Sequence, residues 1–130
     1  PADLAGRRIV PRQPEAGAQA LLLGLLDAEG VPRDAPDWLP PAMSEEDAAR
    51  LVAQGAAEAT LGLEAMARAY DLPFVTLVEE SFDLLCDRRA WFEPPLRALM
   101  AFARGGEMRA RARELGGYDL GCLGEVRWLG

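Results

Sequence analysis

The 130-residue chain has no histidine and no lysine, and arginine supplies all 14 positive charges. Without histidine there is no imidazole to activate a serine or cysteine nucleophile, and no imidazole metal ligand. Without lysine there is no Schiff base and no phosphate-loop ammonium. Two cysteines, Cys86 and Cys122, are too few for a disulfide framework, and with no histidine beside them they do not make a zinc site. No stretch approaches the ~20 apolar residues of a membrane span, and no signal peptide is visible. These absences favour a binding module over an enzyme. No metal, cofactor or membrane partner is expected, and the default location is cytoplasmic.

What is present is globular. Hydrophobic residues make up 50% and charged residues 27% of the chain, which is not the composition of a disordered segment. The length allows one domain or part of a larger one. A net charge of −7 opposes direct nucleic-acid contact, which draws most of its affinity from neutralising phosphates. Arg109, Arg111 and Arg113 form a short basic run, but on a helix only Arg109 and Arg113 share a face, as on an ordinary solvated surface. The first residue is Pro1, which is expected of a processed chain or, the reading favoured here, of one cut from a longer protein.

Along the chain, Arg8-Ile9-Val10 reads as a strand stopped by Pro11, whose nitrogen has no hydrogen to donate. From Glu15 to Glu29, Leu21, Leu22, Leu25 and Leu26 recur at helical spacing, and Gly30 with Pro32 closes the helix. A connection rich in proline follows, with a short strand expected near Trp38. Ser44 reads as a helix N-cap, with Glu45, Glu46 and Asp47 in the first turn and Gly55 at the end. Ala57 to Leu63 is expected to be a short buried strand. A helix opening at Glu64, with Ala65, Met66, Ala69 and Tyr70 inward, is broken at Asp71-Leu72-Pro73.

Phe74 to Val78 is expected to be a strand covered on both faces, and Ser81 to Cys86 a second, with Cys86 in the core. Pro94-Pro95 opens a helix with Leu96, Leu99, Met100 and Ala103 in one stripe. Glu107 to Leu115 follows as another, with Met108, Ala112 and Leu115 inward, closed by Gly116-Gly117. Val126-Arg127-Trp128 is a last strand candidate. Alternation at this spacing predicts an α/β fold with a mostly parallel sheet flanked by helices.

Two strand-to-helix junctions are candidate sites. The first is Arg12-Gln13 with Gly17, Ala18 and Gln19, where free backbone N–H groups at a helix start can hold an anion, although most such turns bind nothing and Glu15 would repel one. The second is Thr60-Leu61-Gly62-Leu63-Glu64, with Gly62 and Glu64 as its candidate binding residues. In open parallel sheets ligands sit outside the carboxyl ends of the strands, where two such junctions can converge. The acidic run at Ser44 is explained by capping, without a metal ion. Glu79-Glu80 lie on alternate sides of an extended chain and make no catalytic dyad. Trp91 and Phe92 fit either a core or an interface.

Taken together, several stretches resemble a known family: Arg12-Gln13 with Gly17 and the leucine helix; Ala48 through Gly55; Leu61-Gly62-Leu63-Glu64-Ala65; Leu72 with Phe74-Val75 and Leu77; Phe82-Asp83-Leu84-Leu85; and Leu115-Gly116-Gly117-Tyr118-Asp119 with Gly124-Glu125. The chain is similar to the C-terminal half of the type II periplasmic-binding-protein-like domain of molybdate-related and LysR-type-like regulators. The resemblance implies one lobe of a two-lobed clamp, with residues 1–80 as the second lobe and 81–130 as returning elements of the first. It implies a small oxyanion or molybdenum-cofactor-related ligand at the helix starts near Glu15 and Glu64, and a place in a transcriptional regulator. An uncovered lobe face would drive homodimerisation. The family's loop reads Gly-Ser-Gly-Thr-Arg, where this chain has Glu15, Ala16, Gly17, Ala18 and Gln19. The missing hydroxyls and guanidinium leave a second reading open, a structural or oligomerisation module that has lost its ligand.

Overall fold

The structure, a computed structural model, describes residues 2–127. The chain divides into two units, Pro1–Phe74 and Val75–Gly130.

In the first unit, a short 3-10 turn at Ala2–Leu4 leads to β1 (Arg8–Ile9), α1 (Gly17–Ala28), β2 (Asp37–Trp38), α2 (Glu45–Ala53) and α3 (Glu64–Ala69). β1 and β2 pair in parallel, Arg8 opposite Asp37 and Ile9 opposite Trp38. The pairing resumes beyond β1 with a bridge between Arg12 and Ala42. The other edge of β1 is occupied too. The Val10 N–H donates to the Ala59 carbonyl at 3.2 Å and the Glu58 N–H to the Arg8 carbonyl at 2.8 Å, around a parallel bridge between Ile9 and Ala59. The carbonyls of Arg7 and Ile9 instead accept from Asp37 and Leu39. Successive residues of β1 therefore bond to opposite neighbours, and β1 lies between the other two segments.

Its central position follows from composition. Ile9 and Val10 are apolar in succession, so both faces need cover, and both residues are fully buried. α1 has its own buried face, Leu22 and Leu26, one turn apart. Gly30 ends that helix in the left-handed region, at φ 67°. α2 begins where the Ser44 hydroxyl accepts the Asp47 N–H at 3.0 Å. Val10, Ala42, Ala48 and Ala57 form a compact core cluster, with Leu39, Leu51 and Val52 packed against it. Alanine at three of the four positions lets helix and strand backbones approach closely.

Several expectations are corrected. Ala57 to Leu63 is not a strand; it contributes one bridge, and Ala57 is buried in the core. α3 buries Ala65 and Ala67, while Ala69 is exposed. The mostly parallel sheet is limited, among the described residues, to β1, β2 and these bridges. Neither Phe74 to Val78 nor Ser81 to Cys86 joins it. Both lie outside any helix or strand and pair with no strand among the described residues, and every residue from 73 to 86 is exposed, Cys86 included. β-propensity describes a side chain's fit to a covered, pleated surface, and here no sheet lies alongside.

The second unit holds a 3-10 turn at Ala90–Phe92, α4 (Pro94–Ala103) and α5 (Gly106–Leu115). The Pro94-Pro95 start is as expected, because the first turn needs no N–H partner there. The stripe on α4 is amphipathic but not buried: Leu99 and Phe102 are about half exposed. On α5 Ala112 is buried. Val126 and Arg127 form no strand, and Trp128 lies outside the described residues.

Candidate functional site

The parallel segments of the first unit run toward one edge, and each is followed by a helix. Pro11 interrupts the ladder just after β1 and directs Arg12 and Gln13 into the loop before α1. Ala42, Met43 and Ser44 follow β2, and Thr60 follows the bridge at Ala59. The contacts bring these junctions together. The Ala42 N–H donates to the Pro11 carbonyl at 2.9 Å. The Thr60 hydroxyl donates to the Val10 carbonyl at 3.0 Å. Gln13 Nε2 reaches Met43 Sδ at 3.3 Å.

Arg12 sits at the centre of this edge. Its backbone N–H donates to Gln19 Oε1 at 3.0 Å, which ties the loop to the first turn of α1. Its Nη1 lies 3.6 Å from Glu45 Oε1, the first residue of α2. Only 14% of the Arg12 side chain is exposed, and its Nε is buried without a hydrogen-bond partner. A long ion pair and an unsatisfied donor in the same group are unusual, because burial penalises both.

The start of α1 is open. Ala16 occupies the N-cap with no side-chain bond, and Glu15 does not turn back to satisfy the first amides. Gln19 and Ala20 donate to the Ala16 carbonyl, while the N–H groups of Gly17 and Ala18 have no acceptor among the described residues. Gly17 is exposed, and apart from its chain neighbours and the backbone of its own helix turn no atom lies within 4 Å of where its side chain would begin. An acceptor can therefore approach two free donors at the positive end of a 12-residue helix.

The start of α2 is closed by comparison. Ser44 caps it, and Glu45, Glu46 and Asp47 already supply negative charge. The Arg50 guanidinium and the Ser44 hydroxyl hold the Asp47 carboxyl below its ordinary range. Glu46 Oε1 accepts the Tyr70 hydroxyl at 3.1 Å. Burial, first, and this carboxylate push the Tyr70 phenol above its ordinary value.

Of the residues singled out from sequence, Arg12, Gln13, Gly17, Ala18 and Gln19 lie together at this edge. Gly62 and Glu64 are at the start of α3. Glu64 is committed to its own helix through Arg68 at 2.6 Å, and among the described residues it makes no hydrogen bond to the Arg12 group. Thr60 lies in the second junction read from the sequence, but its bond to the Val10 carbonyl is not legible there, and neither is the position of Glu45 against Arg12. Ser44-Glu45 read as capping alone, and only the fold shows that the cap faces Arg12. Chemically, the edge offers two free amides and a mostly buried guanidinium for hydrogen bonding. It holds no nucleophile next to a base.

No curated protein and no solved structure matches the chain. A family model, that of the PBP superfamily domain, matches residues 1–104. Its span covers the whole first unit and the Arg12 edge, and on that match the chain belongs to the periplasmic-binding-protein-like superfamily.

Proposed function

We propose that the chain is a non-enzymatic domain that binds a small anionic ligand, an oxyanion or a molybdenum-cofactor-related compound, at the Arg12 edge. The observation that carries this reading is the uncapped start of α1, with the Gly17 and Ala18 amides free at the end of the loop that Arg12 ties to Gln19. Backbone donors at a helix N-terminus hold anions without hydroxyl or guanidinium help from the loop, though more weakly. Residence in a transcriptional regulator, and so in the cytoplasm, belongs to the same reading. So does a homodimer formed through exposed apolar surface. Among the described residues no helix is long and apolar enough to cross a membrane.

Calorimetric titration with molybdate, tungstate, sulfate and molybdopterin-like compounds tests the ligand. Weak, saturable binding that Gly17→Asp abolishes is expected; Asp places a carboxylate where the anion would sit. An absence of heat with all of them contradicts the reading. Glu15 and Glu45 favour a second reading, a structural or oligomerisation module that has lost its ligand, because both carboxylates oppose an anion at this edge. That module would self-associate and ignore every anion in the series.

A further inference from the structure

Residues 73–86 lie outside any helix or strand, and their backbone N–H and C=O groups make no hydrogen bond among the described residues. Phe82 is 79% exposed, Leu84 60% and Leu85 90%. Such a segment is a template for strand pairing. Its charges are placed unevenly: Glu79 and Glu80 precede the apolar centre, and Arg88 and Arg89 follow it. None of these four side chains forms an ion pair among the described residues.

We propose that two copies of the chain pair antiparallel through residues 79–89 about a twofold axis at Leu84, the turn at Arg88-Arg89 opening into strand as they pair. The proposal rests on the self-association named above and specifies its register. Antiparallel pairing about Leu84 sets Glu80 opposite the partner's Arg88 and Glu79 opposite the partner's Arg89. On the face of the even-numbered residues, Phe82 meets the partner's Cys86, and the two Leu84 side chains meet at the axis. The pairing is thus apolar at its centre and oppositely charged at its ends. A twofold contact of this kind is self-complementary and closes as a dimer. Parallel pairing in register is disfavoured, because it stacks Glu79, Glu80, Arg88 and Arg89 each on its own copy. Asp83 lies on the odd-numbered face, opposite the partner's Leu85, and in the chain itself it lies 3.8 Å from Arg127. Before pairing, Arg88 and Arg89 sit in a turn in which the Asp87 carboxylate accepts the Arg89 N–H at 2.8 Å and Arg89 has helical backbone angles.

Sedimentation of the whole chain and of two charge-reversed variants tests the register. The wild type is expected to dimerise. Glu79→Arg with Glu80→Arg should weaken the dimer about tenfold or more, since four attractive cross-strand pairs become repulsive, and Arg88→Glu with Arg89→Glu should do the same. An equimolar mixture of the two variants restores all four pairs and should form a heterodimer of wild-type strength. Because each variant serves as the other's partner, recovery in the mixture also shows that both are folded. Cross-linking gives an independent check. A Leu84→Cys, Cys86→Ser, Cys122→Ser variant should form an intermolecular disulfide, since opposed α-carbons lie about 4.5–5.5 Å apart. The wild type should not cross-link through Cys86, because the two copies of Cys86 are offset by four residues. A wild-type monomer at the highest soluble concentration overturns both the self-association and its register. A dimer that survives either charge reversal, fails to re-form in the mixture, or cross-links through Cys86 overturns the register alone.

Discussion

Ser44 shows how much one hydroxyl settles. It accepts the Asp47 N–H and so fixes where α2 starts, and that start sets Glu45 against Arg12. Replacing Ser44 with Ala should cost about 1 kcal/mol, measured as a shift in the urea midpoint of unfolding at constant slope. A change of a few tenths or less would mean that water caps the helix as well as serine does. Features of this kind were legible in the sequence because they are local: the Ser44 cap, and the stops at Gly30 and Gly55, both in the left-handed region at φ 67° and 73°. Features that depend on what lies across from a residue were not. Ala67 and Ala69 have the same propensity, and only packing makes the first buried and the second exposed. Cys86 looked like core because its neighbours are apolar, yet it is exposed. At the candidate site, the Arg12 loop was legible from a strand stop followed by a helix start. Its partner Glu45, more than 30 positions away in the sequence, was not.

At the scale of elements, the segment around Ala59 is held to β1 partly by one carboxylate. Glu58 accepts the Arg8 backbone N–H at 3.0 Å and the Arg7 Nη1 at 3.0 Å. These bonds, the backbone one first, lower the Glu58 carboxyl from its ordinary value of 4.5. The folded value lies below the unfolded one, so the stabilisation is fully present above the ordinary value. It is lost as pH falls through the lowered folded value. Asp27, lowered by Arg33, and Asp47, lowered by Arg50, act in the same direction. Unfolding midpoints should therefore fall as pH drops below 4.5, and Glu58→Gln should show a shallower fall than the wild type over that window. Identical slopes would remove Glu58 from the account. Elements were legible where periodicity is strong. Leu22 and Leu26 announce α1 and its buried face, whereas the run from Phe74 to Cys86 announces β-propensity without a partner strand.

For the whole molecule, strand and helix alternation pointed correctly to parallel crossovers, and the first unit builds them around Ile9 and Val10. The sheet is smaller than the alternation predicts, because the apolar runs beyond Leu72 are exposed where a sheet strand would be covered. The match of residues 1–104 to the PBP superfamily domain and the open start of α1 together support ligand binding as the chain's task. The central claim is that the Gly17 and Ala18 amides are the anion donors. Amide chemical shifts followed by NMR during an oxyanion titration test it most directly. The account predicts saturable shifts concentrated at Gly17 and Ala18, with a smaller response at the Arg12 Nε–H. Unchanged amides at those two positions, or saturable shifts confined to other residues, would contradict it.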